Sequence, residues 1–341
     1  MLPEPEAVPP RSPRFSALLA GFASQRVLVA GDLMLDEYIW GRVSRISPEA
    51  PVPVVEVTAE SYYPGGAANV ARNLRELTPH VSVLGTAGND AAGNRLLGLL
   101  GEAAIDTAAI LRTSSLTTMK SRIIARNQQV VRVDRERREP LSPESTAAAM
   151  RHLDRLLPAV DAVIVADYGK GFVTQALADH ICQSARRLGK ILTVDPHPHT
   201  STAWQGATAI KPNRAEAFLA SGLPPADPVL PVTADHALLE AGRRLHRLWN
   251  TSLLLITLGE HGMLLLDGDA PPYHTPTTAQ AVFDVSGAGD TAIAVLTLAL
   301  ASGATPAEAA QLANRASGIV VGKLGAATVT PAELQAALAT T

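Results

Sequence analysis

Asp284-Val285-Ser286-Gly287-Ala288-Gly289-Asp290-Thr291 runs directly into an apolar stretch over 292–301. Small residues ahead of a helix leave several backbone N–H groups without acceptors, and the helix dipole adds partial positive charge. Such a segment suits a phosphate or a developing negative charge. Asp290 falls in the first turn, beside that anion, where a carboxylate is unfavourable unless it does chemistry; it is a candidate to take the proton of a hydroxyl that attacks a phosphate. The competing reading is a helix-start residue that only stabilises the dipole. The same spacing fits Gly-x-Gly-x-x-Ala, yet a dinucleotide fingerprint opens a strand–helix–strand unit. Here the chain continues with one helical pattern after another, over 288–301, 306–321 and 331–339. No Gly-x-x-x-x-Gly-Lys-Ser/Thr occurs, which excludes a Walker-type loop.

Upstream the pattern alternates. Short apolar runs at 26–30, 81–86, 162–166, 191–194, 207–210 and 252–257 read as strands. Helical periodicity fills 67–77, 89–100, 143–157, 174–188 and 234–249 between them. This order predicts an α/β fold with a mostly parallel sheet covered on both faces. Two segments interrupt it: 38–63, with Val52, Val54, Val55 and Val57 among prolines, and 117–135, with extended runs at 119–125 and 130–133 around Arg126-Asn127. They are expected to form a small second sheet, a lid over the carboxyl ends of the core strands, where open α/β sheets bind ligands.

The 341 residues admit two domains or one large α/β unit. The Pro- and Glu-rich start leads us to expect a flexible tail over 1–20 and one domain over 21–341. With 29 Lys+Arg against 32 Asp+Glu the net charge is −3, which argues against nucleic acid or an anionic membrane as partner. No run approaches the ~20 apolar residues of a membrane span. The single cysteine, Cys182, cannot close an internal disulfide; it falls in a helical pattern, is expected to be buried and inert, and fits a cytoplasmic setting. Lysine occurs only at 120, 170, 190, 211 and 323, so arginine is the default cation.

Four further clusters carry chemistry. In Pro64-Gly65-Gly66-Ala67-Ala68-Asn69 the paired glycines admit a close polar ligand and Asn69 lies one turn on, although a plain helix start reads the same. Gly31-Asp32 follows the first strand, with Asp36 four residues on; Asp32 is placed to bind sugar hydroxyls or to make a turn. Lys211-Pro212-Asn213-Arg214-Ala215-Glu216 offers lysine, amide and carboxylate to a nucleotide phosphate and hydrated magnesium, or a capped helix start. Thr257-Leu258-Gly259-Glu260-His261-Gly262 is a nucleotide-touching loop or a hairpin turn.

Together these elements, in this order, resemble the ribokinase-like (phosphofructokinase B) carbohydrate kinases over roughly residues 26–325. A narrower resemblance, to heptose-7-phosphate kinases, rests on 41–54, Lys120-Ser121-Arg122, Arg126-Asn127-Gln128-Gln129, Asp167-Tyr168-Gly169-Lys170-Gly171 and Val321-Gly322-Lys323-Leu324-Gly325. The resemblance implies a three-layer α/β/α sandwich with a β-sheet lid, and phosphoryl transfer from ATP to the anomeric hydroxyl of D-glycero-β-D-manno-heptose 7-phosphate, a step towards the lipopolysaccharide core. It implies Asp290 as base and Gly287, Ala288 and Gly289 as anion hole. Sugar contacts fall to Asp32, Gly65, Gly66 and Asn69, and the existing phosphate to Lys120, Arg122, Arg126 and Lys170. Nucleotide contacts fall to Lys211, Asn213, Arg214, Ala215 and Glu216, with Thr257, Gly259, Gly262 and Asn314 near adenine. Mg²⁺ would be held by Glu216 through water; some relatives also use a monovalent cation. A homodimer through the lid is expected, and, since no His-x-Gly-His motif occurs, a separate nucleotidyltransferase. Another sugar or sugar-phosphate kinase of the family, or a non-catalytic nucleotide- or sugar-binding relative, are the alternatives. Where relatives show Asp-Pro-Lys, the sequence has Asp195-Pro196-His197-Pro198-His199; a metal site at the two histidines is weighed there against an ordinary loop.

Overall fold

The computed structural model describes residues 13–126, 128–198, 202–278, 285–323, 325 and 327–339. In chain order the first half comprises α1 (Pro13–Phe22), β1 (Arg26–Gly31), β2 (Leu33–Ile46), β3 (Pro53–Gly66), α2 (Ala67–Arg75), β4 (His80–Gly88), α3 (Ala91–Glu102), β5 (Asp106–Thr113), β6 (Thr118–Ala125), β7 (Gln128–Arg135) and α4 (Pro143–Leu156). The second half comprises β8 (Ala162–Ala166), α5 (Gln175–Arg187), β9 (Ile191–Asp195), β10 (Ala209–Ile210), α6 (Arg214–Ser221), α7 (His236–Trp249), β11 (Leu253–Thr257), β12 (Met263–Asp267), β13 (Tyr273–Thr275), α8 (Ala288–Ala301), α9 (Pro306–Val321) and α10 (Pro331–Ala339).

Nine described strands form the main sheet in the order β13-β12-β11-β10-β9-β8-β1-β4-β5. All neighbours from β11 to β5 are parallel, while β12 and β13 close one edge antiparallel. β1 shows why three layers result. Val27 and Val29 face one core with α1, α2, α8 and α9, and Leu28 and Ala30 face a second core with α4, α5 and α7. Alternate side chains serve opposite faces, so a strand buried on both reads as a continuous apolar run. Helix α8 is buried from Thr291 to Ala299, which explains its lack of a polar face.

The start of the chain corrects one expectation. The tail foreseen over 1–20 is helical from Pro13, because Phe15, Leu18 and Phe22 share one helical face and are each buried. Residues 1–12 lie outside the described ones.

The two inserted segments form the second sheet, order β3-β2-β6-β7. Only Asp32 separates β1 from β2, and β3 passes without a loop into α2. The lid is therefore rooted at the carboxyl edge of the main sheet. Among the described residues, no helix is long and apolar enough to cross a membrane.

Candidate active site

Gly287 ends the loop before α8 with φ +82°, a left-handed conformation that favours glycine, and Thr291 N–H donates to its carbonyl at 3.0 Å. Ala288, Gly289 and Asp290 form the first turn, whose N–H groups have no intrahelical acceptor. Asp284 lies outside the described residues. Asp290 Oδ1 accepts from the Tyr168 hydroxyl at 2.5 Å and Oδ2 from Asn69 Nδ2 at 2.6 Å. Burial pushes the Asp290 carboxyl up to about 6; the bonds from Tyr168 and Asn69 and the charge of Lys211 oppose that rise, and Asp195 adds to it. Burial, followed by the charge of Asp290, raises Tyr168 well above its ordinary value, so its hydroxyl stays a donor. The Ala288 N–H reaches the Val285 carbonyl at 3.3 Å; the site thus holds a carboxylate poised near neutrality beside the N–H groups of a helix N-terminus, an arrangement that can deprotonate a hydroxyl and stabilise a phosphoryl group.

Lys211, 3% exposed, pairs with Asp195 at 3.0 Å, and Gly289 has no side chain to obstruct its ammonium, which an added Cβ would meet at 3.4 Å. Burial raises the Asp195 carboxyl against the opposing effect of Lys211. From there a cleft of about 980 Å³ extends between α6, the β11–β12 turn, the segment 228–235 and α9. Asn213, Arg214, Glu216, Thr257, Gly259, Gly262 and Asn314 border it, whereas Ala215 does not.

Several of these side chains are already engaged. Asn213 and Glu216 close a capping box, Glu216 N–H donating to Asn213 Oδ1 at 2.9 Å and Asn213 N–H to Glu216 Oε2 at 2.7 Å. The capped-helix reading holds, one oxygen of Glu216 remaining outside the box. Arg214 is spent on structure: it pairs with Asp235 at 2.8 Å and donates to the carbonyls of Ala226 and Asp227. That fixes a wall of the cleft, which Arg214 borders. Asn314 donates to the Pro276 carbonyl at 2.7 Å. Gly262 has φ +80°, and a side chain there would collide with the Thr275 carbonyl. His197 borders the cleft with its ring against Gly169; His199 lies outside the described residues. No group of three or more His, Cys, Asp or Glu among the described residues could hold a metal ion.

On the lid side the structure redistributes the expected roles. Asp32, 2% exposed, accepts N–H bonds from Tyr168, Lys170 and Phe172 at 2.8, 3.1 and 3.0 Å. It therefore holds the 168–172 loop by its backbone. Asp36, opposite Tyr63 in the β2–β3 register, leans towards Gly65, whose missing Cβ would lie 2.5 Å from Oδ2, and pairs with Arg122 at 2.6 Å. Gly65 and Gly66 end β3, and Asn69 follows in the first turn of α2, its Oδ1 buried with no hydrogen-bond partner among the described residues. Lys120 is opposite Asp36 in the β2–β6 register, half-buried, and forms no ion pair among the described residues. Burial, then neighbouring Lys170, lowers its pKa. Lys170 pairs with Glu136 at 2.6 Å. Arg126 does not join them: six strand residues beyond Lys120, roughly 20 Å, it is exposed and donates to the Val43 carbonyl. Tyr168, Asp36 and Asp195 were not singled out as site residues from sequence. Tyr168 and Asp195 stand at or just beyond the carboxyl ends of β8 and β9, a position that marks ligand contacts in parallel sheets.

The profile of the pfkB family carbohydrate kinases matches residues 24–333. The chain is 46% identical over 319 residues to the bifunctional protein HldE of Desulfatibacillum aliphaticivorans, covering 93% of this chain and 64% of that protein. It is 44% identical over 317 residues to HldE of Caulobacter vibrioides, with 92% and 64% covered. The chain thus spans a little under two thirds of these relatives' length. Among solved structures, phosphofructokinase-2 of Escherichia coli with substrates and products superposes at a TM-score of 0.73 and 18% identity, covering 92% of this chain and 98% of that one. Arabidopsis thaliana ribokinase with ribose and ATP does so at 0.71 and 16%, covering 93% and 99%. These two share the fold.

Proposed function

The chain belongs to the pfkB family of carbohydrate kinases and is a sugar kinase; from that premise we propose that it phosphorylates the anomeric hydroxyl of D-glycero-β-D-manno-heptose 7-phosphate with ATP. The observation that carries the chemistry is Asp290, held by Tyr168 and Asn69 at the N-terminus of α8. In this reading the acceptor lies over Gly65-Gly66, its hydroxyls contacting Asp36 and Asn69, and ATP fills the cleft from Asn314 and Gly259 to Lys211. As the hydroxyl attacks, its proton passes to Asp290 while the N–H groups of the first α8 turn and Lys211 take up charge on the transferred phosphoryl.

Magnesium bound to ATP would neutralise phosphate charge. The residues fit such an ion: the oxygen of Glu216 outside the capping box faces the cleft, and a magnesium ion that keeps most of its waters needs only one or two carboxylates. The choice of a phosphorylated heptose rests on the relatives' resemblance and on Lys120, a half-buried cation without an ion pair among the described residues, which suits an anionic ligand. A homodimer through the lid belongs to the same reading.

ATP consumption with heptose 7-phosphate tests it. The wild-type protein should turn over, and Asp290→Asn should lose roughly 10²–10⁴-fold in kcat with little change in ATP affinity. Lys120→Ala should raise KM for the sugar phosphate and leave KM for ATP unchanged. Efficient turnover of an unphosphorylated sugar in preference to any sugar phosphate would refute the assignment.

A further inference from the structure

The face of the lid that carries Asp36 is a grid of charged side chains. β6 runs between β2 and β7, so Lys120 has Asp36 on one side and Asp134 on the other. Arg122, two residues on and therefore on the same face, has Tyr38 and Arg132 as its neighbours. Side chains opposite one another on adjacent strands lie about 5 Å apart. A lysine between two aspartates would ordinarily pair with one of them, yet Lys120 forms no ion pair among the described residues.

Both carboxylates are taken from the next row. Arg122 Nη1 reaches back to Asp36 Oδ1 at 2.6 Å, its guanidinium lying 5.2 Å from the centre of the Tyr38 ring. Arg132 grips Asp134 along β7 with two bonds, Nε to Oδ1 at 2.9 Å and Nη2 to Oδ2 at 3.0 Å. A guanidinium meets a carboxylate with two donors at once and an ammonium does not, so arginine outcompetes lysine for each aspartate. Nearby Lys170 is engaged in turn by Glu136 at 2.6 Å. The pattern is not the one that stability alone favours. Arg122 and Arg132 stand directly opposite each other, a like-charged pairing across strands that is ordinarily destabilising.

We propose that Arg122 and Arg132 are positioning residues, which by occupying Asp36 and Asp134 keep the Lys120 ammonium free for the phosphate of the acceptor sugar. This rests on the sugar-phosphate reading and deepens it: neither arginine touches the phosphate, and selectivity for a phosphorylated acceptor depends on an ion pair one row away from it. Arg122 also turns the second oxygen of Asp36 towards Gly65.

The β7 pair gives the cleaner test, since Asp36 contacts the sugar in this reading and Asp134 does not. Arg132→Gln should release Asp134 to Lys120. In the protein without substrate, acetic anhydride should then acylate Lys120 more slowly relative to Lys190, by roughly 3- to 5-fold, the worth of one exposed ion pair. KM for heptose 7-phosphate should rise by a similar factor, with kcat and KM for the unphosphorylated heptose unchanged. Arg132→Gln combined with Asp134→Asn should restore both the labelling rate and KM. In a Lys120→Met background, Arg132→Gln should have no further effect on KM. Unaltered labelling of Lys120 in Arg132→Gln overturns the proposal. So does an equal rise in KM on the Lys120→Met background, which would mean that Arg132 meets the phosphate itself. If labelling responds as expected while Lys120→Met leaves KM for every phosphorylated sugar unchanged, the pairing scheme stands and the sugar-phosphate reading falls.

Discussion

Asp290 has to be ionised to accept a proton, yet burial favours its neutral form and pushes it up to about 6. Tyr168 and Asn69 each donate to one of its oxygens and pull in the opposite direction. A base with this value is charged above about pH 6, so kcat/KM should fall as the pH drops through that region. Tyr168→Phe removes the opposing bond from Oδ1, and the carboxyl should rise further. The acid limb of the pH–rate profile should therefore move to higher pH, by roughly one unit for a bond worth about 1.5 kcal/mol. Activity should recover on the alkaline side. A limb that stays in place, with activity lost equally at all pH values, would mean that Tyr168 only supports the fold. Asp32 and Asp36 show what sequence could not separate at this scale. Both follow β1, but the chain leaves the main sheet at Asp32, and only the lid register assigns Asp36 to the face shared with Gly65 and Lys120.

At the scale of elements, α2 and α8 are tied by buried polar groups. Asn73 Nδ2 donates to the Asn69 carbonyl at 2.9 Å, and the Thr291 hydroxyl donates to Asn73 Oδ1 at 2.7 Å. Asn73 is fully buried, so Asn73→Ala would remove both bonds, leaving the Thr291 hydroxyl with the Gly287 carbonyl at 3.2 Å. Denaturant unfolding should show a loss of about 2–4 kcal/mol, and because Asn69 and Asp290 sit one turn away on either helix, kcat should fall without a matching change in KM for ATP. Legibility differed among elements for physical reasons. β1, β8 and β11 are continuous apolar runs because both of their faces are covered, and such runs stand out in sequence. β5 lies at the sheet edge with a mixed burial pattern, and β13 is three residues long; neither carries a period strong enough to read. The Pro-rich flank concealed α1, whose three buried residues are too few to outweigh their surroundings. The glycine turn, Asn69 and Asp290 were legible because they are local motifs. A cavity of about 240 Å³ beside the lid was not, since it is assembled from five separate segments, 32–33, 86–88, 113–118, 137–145 and 170–172.

For the molecule as a whole, the lid leaves apolar side chains in solvent: Trp40 is 40% exposed, Val57 56%, Val131 49% and Val133 43%. Exposed strand ribbons with such residues tend to find a partner sheet. Sedimentation at micromolar concentration should give a dimer for the wild type, and Val131→Lys with Val133→Lys should shift it towards monomer while the melting temperature of the main domain changes little. A monomer at all concentrations would remove the lid from that role. The distribution of lysine has a practical consequence. Arginine carries nearly all of the surface positive charge, while Lys120 and Lys170 are neighbours on the lid side of the candidate site and Lys211 pairs with Asp195 within it. Acylating reagents that ignore guanidinium therefore meet few amines; those at the candidate site should be shielded when substrate is bound, while Lys190 and Lys323 should react alike in both states. Comparing modification of Lys120 and Lys170 with that of Lys190 and Lys323 by mass spectrometry should thus report occupancy of the site without an engineered label.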